Sequence, residues 1–256
     1  MTLDLGAPPV VDVDDSSTWP QLLGDLVQGL ADDAREAGHD PEVYQDLPLH
    51  EHEETVLRCL DGRLVRARHA TRLLDHEEGA IRAQGLRLLT ADLVNDRLDQ
   101  AHRLGYLSDA EHESLRVNNC TVPGHRGMGR REDQVCLTLS TAAMAHNSHG
   151  GYRLLSYWGG EAIYWNHCDN DRDLAPKLQS LGTPVIVTAL LDLATPAASR
   201  HLIFPSMVHV LVGKALGYGP ADADVFYRAS IPAHRIESIV SPGDADYDRF
   251  PGLPPR

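Results

Sequence analysis

The 256-residue chain carries a formal net charge of −14, is 42% hydrophobic and only 5% aromatic. Its acidity repels nucleic acid unless a local basic patch intervenes, and the shortage of aromatics argues against a stacking platform for single strands. No run of eighteen apolar residues occurs, so no membrane span is predicted, and the four widely spaced cysteines read as reduced thiols of a cytoplasmic protein.

The N-terminus, MTLDLGAPPVVDVDD, is acidic and lacks an apolar segment, which predicts no signal peptide. Residues 1–20 are rich in Pro and Asp and read as loosely held. Ser16 or Ser17 can cap a helix that Trp19 and Pro20 lead into. Leu22, Leu23, Leu26, Val27 and Leu30 give that helix an apolar face, and Gly38 stops it. Residues 41–54 form a polar connector. Its His50 and His52 have no second cluster at ligand spacing and read as part of a solvated loop. Residues 1–54 are thus expected to be a helical extension with a connector, and residues 55–256 a domain.

Residues 55–60 read as a short strand or turn, with Asp61-Gly62 as a hairpin turn. Residues 64–71 then alternate: Leu64, Arg66, Arg68 and Ala70 point one way, and Val65, Ala67, His69 and Thr71 the other, as in a strand. From Asp75 the spacing turns helical. Glu77 and Glu78 sit where a helix N-terminus favours negative charge, and Gly85 supplies the stop. A further helix is expected over residues 90–104, ended by Gly105. Ser108 and Glu111 read as the capping box of a third.

Residues 118–133 read as a loop holding His125, Arg126, Arg130 and Arg131, a cationic patch that suits a diphosphate. Residues 134–140 alternate as a strand, and residues 141–151 read as a turn-rich link. In YWGGEAIYWNH, Gly159 and Gly160 permit a sharp turn or a close ligand approach. Residues 162–165 read as a strand. After a polar loop and short helix, residues 185–193 form the most apolar run of the chain and suit a central strand. Strand-forming Val225, Phe226 and Tyr227 lead to Ile231-Pro232. The chain has neither CxxC nor HExxH, so no structural zinc is expected. The pairs Cys120…His125 and His167-Cys168 keep a zinc-dependent hydrolase as an alternative. The absence of GxGxxG after a strand argues against a Rossmann dinucleotide site.

Three of these stretches, in order, resemble the ADP-ribosyltransferase-like superfamily, in its diphtheria-toxin and poly(ADP-ribose) polymerase branch. The first is His69-x-Thr71 followed by Ile81-x-x-x-Gly85-Leu86. The second is Gly160-Glu161-Ala162-Ile163-Tyr164 before a long apolar strand. The third is Asp224 placed seven residues before Ile231-Pro232-x-x-x-Ile236. The resemblance implies an α+β fold: a split, mostly antiparallel sheet with flanking helices. It implies that NAD is the substrate, that the nicotinamide–ribose bond is cleaved, and that ADP-ribose passes to a protein, nucleic acid, small molecule or water. A toxin-like role is common in that superfamily. His69 and Thr71 would hold the adenosine ribose and nicotinamide parts, with Tyr164 or Trp165 stacking on nicotinamide. Either Glu161 or Asp224 would be the catalytic carboxylate.

The sequence departs from the pattern in two places. Ala162 stands where the family has a second glycine, and residues 169–180 offer no counterpart of a further tyrosine. Asp224 is also one methylene shorter than the usual glutamate, so Glu161, beside the glycine pair, competes with it. These departures keep open a non-catalytic binding module of the same fold.

Overall fold

The computed structural model describes residues 8–38, 47–122, 131–145, 150–170, 173–193, 202–218, 222–250 and 252–255. The chain opens with β1 (Val10–Val11) and a 3-10 turn whose N-cap is Asp15, then α1 (Gln21–Glu36). Leu23, Val27, Ala31 and Ala34 recur at helical spacing and are the buried residues of α1. Leu22, expected on that face, is 75% exposed. Where a strand or turn was expected, the chain forms α2 (Glu53–Cys59), whose first turn carries Glu53 and Glu54. The expected domain boundary at 54/55 falls inside this helix. The Asp61-Gly62 turn therefore joins a helix to a strand, not two strands.

That strand is β2 (Leu64–Leu73), followed by α3 (Asp75–Gln84), α4 (Ala91–Arg103) and α5 (Asp109–Val117). Each stop and cap here is local chemistry. Gly85 ends α3 at φ 85, Thr90 accepts from Leu93 N–H to start α4, and Ser108 with Glu111 forms the expected capping box of α5. Next come β3 (Val135–Thr138), α6 (Thr141–Ala145) and α7 (Gly150–Ser156). The link expected over residues 141–151 thus holds helical turns.

The strand expected over residues 162–165 is instead α8 (Glu161–Tyr164), which runs on into a π-helical turn, Trp165–Asn170. Gly160, at φ 66, breaks the chain direction, and its carbonyl accepts from the N–H of both Ile163 and Tyr164. The chain completes itself with α9 (Ala175–Ser180), β4 (Thr183–Leu191), β5 (Leu202–Phe204), α10 (Met207–Ala215), β6 (Asp224–Tyr227), β7 (Ile236–Val240) and α11 (Ala245–Asp248).

The strands form one sheet in the order β5-β6-β3-β2-β4-β7, with all these neighbours antiparallel. β1 adds to it by parallel pairing with the start of β2. The architecture is therefore α+β, a mostly antiparallel sheet flanked by helices. The apolar run in β4 lies between β2 and β7, as a central strand should. On one face, Val65, Ala67, Val187 and Ala189 pack in one core with Leu23 and Val27 of α1, Val56 of α2 and Leu211 of α10. Burying each such side chain is worth roughly 1.5–3 kcal/mol, so this face supplies much of the driving force. On the other face, Ala70 and Ile186 meet Leu155 of α7 and Tyr247 of α11. A separate cluster beyond the end of β2 joins Leu98, Leu115, Trp158, Ile163 and Tyr164. Among the described residues, no helix is long and apolar enough to cross a membrane.

Candidate functional site: a cleft where the sheet divides

β2 and β3 are neighbours, yet they share a single paired position, Arg68 with Thr138. Beyond it the two strands part. β3 keeps to β6, with which it pairs at every residue from Val135 to Thr138. The reason lies in the segment after α3. Gly85-Leu86 is tied to the far half of the sheet: Leu86 N–H donates to the Ile231 carbonyl at 2.8 Å, and Ile231 N–H returns a bond to Leu86 at 2.9 Å. Leu89 does the same at the start of β3, donating to the Gln134 carbonyl at 3.0 Å and accepting from Asp133 N–H at 3.0 Å. So α3 leaves from the end of β2 and lands on the other half, spanning the gap. An added Cβ at Gly85 would lie 1.9 Å from the Ile231 carbonyl oxygen, so only glycine allows this landing.

The gap is a cleft of about 350 Å³, at the small end of the range for ligand pockets. His69 and Thr71 of β2 line it, as do Glu161, Asp224 and Arg131. His69 Nδ1 lies 2.8 Å from the Cys136 carbonyl. A carbonyl can only accept, so Nδ1 carries the hydrogen, and a neutral ring leaves Nε2 as an acceptor. Burial holds the His69 pKa below its ordinary value, with the nearby Arg97 charge acting the same way against the Cys136 hydrogen bond. The Thr71 hydroxyl is buried and, among the described residues, makes only a long, 3.4 Å contact with the Arg72 carbonyl.

Opposite them, Arg131 Nε donates to Glu161 Oε2 at 2.8 Å, and its guanidinium carbon lies 4.5 Å from the centroid of the Phe226 ring. Burial works to lower the Arg131 pKa, but the Glu161 charge and hydrogen bond and the Asp224 charge leave it raised overall. The two competing carboxylates are therefore neighbours across one arginine. Burial pushes the Cys136 thiol up to about 12, so it stays protonated and is a poor nucleophile. Of the cationic patch expected over residues 118–133, His125, Arg126 and Arg130 lie outside the described residues.

The cleft does not gather every expected group. Tyr164 is buried in the cluster behind α8, 2% exposed, and neither it nor Trp165 lines the cleft. The helical start at Gly160 is the cause: it directs Glu161 to the cleft, Tyr164 into the core and Trp165, 44% exposed, to the surface. His167 has both ring nitrogens engaged, by Asp173 at 3.0 Å and the Asn118 carbonyl at 2.6 Å. Among the described residues, no three His, Cys, Asp or Glu side chains come together to hold a metal ion.

One part of the cleft has no counterpart in the sequence reading. Glu77 of α3, 8% exposed, accepts from Arg97 Nε at 2.6 Å, Trp158 Nε1 at 2.9 Å and Leu74 N–H at 2.8 Å. Burial alone would raise the Glu77 pKa, but the Arg97 charge and these hydrogen bonds leave it lowered. The chain matches no protein-family model, no curated protein and no solved structure.

Proposed function

We propose that this cleft binds NAD and cleaves its nicotinamide–ribose bond, passing ADP-ribose to an acceptor or to water. The observation that carries the reading is the divided sheet itself. It sets a neutral histidine and a threonine hydroxyl from β2 on one lip and two carboxylates on the other. Nε2 of His69 and Oγ1 of Thr71 would meet ribose hydroxyls and the carboxamide. As the bond from ribose C1′ to the nicotinamide nitrogen breaks, nicotinamide leaves neutral with both electrons and positive charge builds on the ribose. A fixed carboxylate stabilises that charge. The incoming hydroxyl, amine or water attacks C1′ and gives up its proton to solvent. Glu161 suits the carboxylate role because Arg131 holds only one of its oxygens, leaving Oε1 for the ribose. Asp224 is the alternative. Apolar side chains of the cleft, among them Ile81, Leu86 and Leu93, take the place left by Tyr164 in covering a flat ring.

The test is NAD binding by titration and nicotinamide release for the wild type, Glu161→Gln and Asp224→Asn. One variant is expected to lose about two to three orders of magnitude in turnover, the typical cost of removing one charge stabiliser, while still binding NAD. Wild-type turnover in both would remove both carboxylates from the chemistry. Binding without turnover by the wild type would favour a non-catalytic module.

A further inference from the structure

We propose that Arg97 and His76 form a phosphate-binding subsite in the wall of the cleft and take the diphosphate of the dinucleotide. This rests on the NAD reading above for the identity of the ligand, but the anion chemistry stands on its own observations. Arg97 projects from α4 into the cleft lining, with its guanidinium carbon 5.1 Å from the centroid of the Trp158 ring. Its only hydrogen bond among the described residues runs from Nε to Glu77. The outer edge of the guanidinium, Nη1 and Nη2, is the part that grips phosphate as a fork. Here that edge makes no hydrogen bond among the described residues; neighbouring atoms cover Nη2, so a ligand oxygen meets it only after they shift slightly, while the side chain as a whole keeps 25% exposure. Buried polar groups are normally satisfied, and a charged donor left unpaired is among the costliest exceptions.

His76, one position before Glu77, repeats the feature. Its Nδ1 is also buried and unpartnered among the described residues, and its ring lines the same cleft. Both side chains line the one cleft, and an oxyanion bound there can accept from each.

The neighbouring groups restrict the choice. Glu77 does not take the Arg97 fork: Oε1 accepts from Arg97 Nε, and Oε2 is filled by Leu74 N–H and Trp158 Nε1. Glu77 holds the Nε edge of the guanidinium and Trp158 lies against its face, which leaves Nη1 and Nη2 to the ligand. Of the other arginines lining the cleft, Arg68 is held by Asp12 and Asp14, Arg87 pairs with Asp96 at the surface, and Arg131 lies on the opposite lip with its Nε on Glu161. Arg97 is the cation of the wall formed by α3 and α4, its Nη1 and Nη2 make no hydrogen bond among the described residues, and phosphate is the group that uses two such donors at once.

The experiment compares wild type, Arg97→Lys and His76→Leu by calorimetric titration with three probes: NAD, nicotinamide riboside and inorganic pyrophosphate. Arg97→Lys keeps a positive charge beside Glu77 but loses the fork. His76→Leu removes the Nδ1 donor at similar bulk and serves if the first variant melts early. The expected result is an NAD affinity lowered about 10- to 100-fold in Arg97→Lys, as for loss of hydrogen bonds to a charged group. Affinity for nicotinamide riboside, which has no phosphate, should not change. Pyrophosphate should compete with NAD in the wild type and not in the variant. Equal weakening of NAD and nicotinamide riboside, or weakening of neither, in variants that melt like the wild type overturns the subsite. Pyrophosphate bound through Arg97 by a protein that ignores NAD upholds the subsite and removes the NAD reading. NAD bound equally well by all three proteins does the reverse.

Discussion

Along one edge of β2, every residue from Val65 to Leu73 faces a partner on β4, while along the other edge β3 meets the strand only at Arg68. One strand thus does two jobs. The closed edge joins the sheet to its core, because its pairing partners Val185, Val187, Ala189 and Leu191 are all at most 2% exposed. The open edge is kept from closing, because the segment after α3 pairs with Gln134 and Ile231. Backbone groups that β3 would otherwise have covered now border a cleft. The contrast teaches that the site is made by withheld pairing, and that whatever withholds it matters as much as the side chains on its lips. Arg68, at the last shared position, is itself fixed. Its guanidinium reaches the Asp12 carboxylate at 3.3 Å and the Leu139 carbonyl at 3.3 Å.

The largest effect should come from breaking the tether. Gly85→Ala forces a Cβ to within 1.9 Å of the Ile231 carbonyl oxygen, at a residue whose φ is +85. Strain at the positive φ and the steric clash together should cost about 3 kcal/mol or more. Gly62→Ala is the control, since φ is +70 there and nothing lies within 4 Å of the added Cβ. It should cost only about 1–2 kcal/mol. Urea melts of the two variants read the difference. Equal destabilisation would show that the landing of α3 on Ile231 contributes nothing.

A smaller effect should separate the two edges. Val65 is fully buried, pairs with Leu191 on the closed edge, and touches β1 on its other side. Val65→Ala removes about two methylene equivalents and leaves a small cavity, a loss of about 2 kcal/mol. Because Val65 does not line the cleft, NAD affinity should stay at the wild-type value. A fall in affinity that tracks the loss of stability would mean that the edges are energetically one unit.

Much of this was written in the sequence because it is local. The alternation from Leu64 onward, the Gly85 stop, the Ser108 capping box and the apolar β4 run each follow from residues within a turn or a strand of one another. The meeting of Gly85-Leu86 with Ile231 involves two stretches that the sequence singled out separately, but pairing between them is a long-range fact. Residues 162–165 were misread for a physical reason. Four apolar residues after two glycines satisfy a strand or a helix equally, and the choice fell to the Gly160 carbonyl, which captures Ile163 and Tyr164 N–H. The Glu77, Arg97 and Trp158 unit was invisible, because no spacing rule links positions 77, 97 and 158. Glu77 showed only as a charge favourable to a helix start.

The smallest predicted effect concerns a side chain that bridges the divided strands. His69 sits on the open edge of β2, and its Nδ1–H donates to the Cys136 carbonyl of β3 at 2.8 Å. Burial is the main reason its pKa lies below the ordinary 6.5, and the Arg97 charge adds to it. The sign follows directly. Below about pH 6.5 an unfolded His69 takes up a proton that the folded protein refuses until a lower pH. Over that window the unfolded state binds more protons, so stability is full above pH 6.5 and falls as the pH drops toward the folded pKa. The slope contributed by one such group is at most about 1.4 kcal/mol per pH unit. His69→Asn tests this with little change in shape, since an amide N–H can still donate to Cys136 but does not titrate. The measurement is the difference in unfolding free energy between wild type and variant at pH 7.5, 6.5 and 5.5. It should change by at most about 0.4 kcal/mol between the first two and by more, in the variant's favour, at the third, all other titrating groups being common to both proteins. A difference that stays constant down to pH 5.5 would mean that burial in the fold does not depress the His69 pKa.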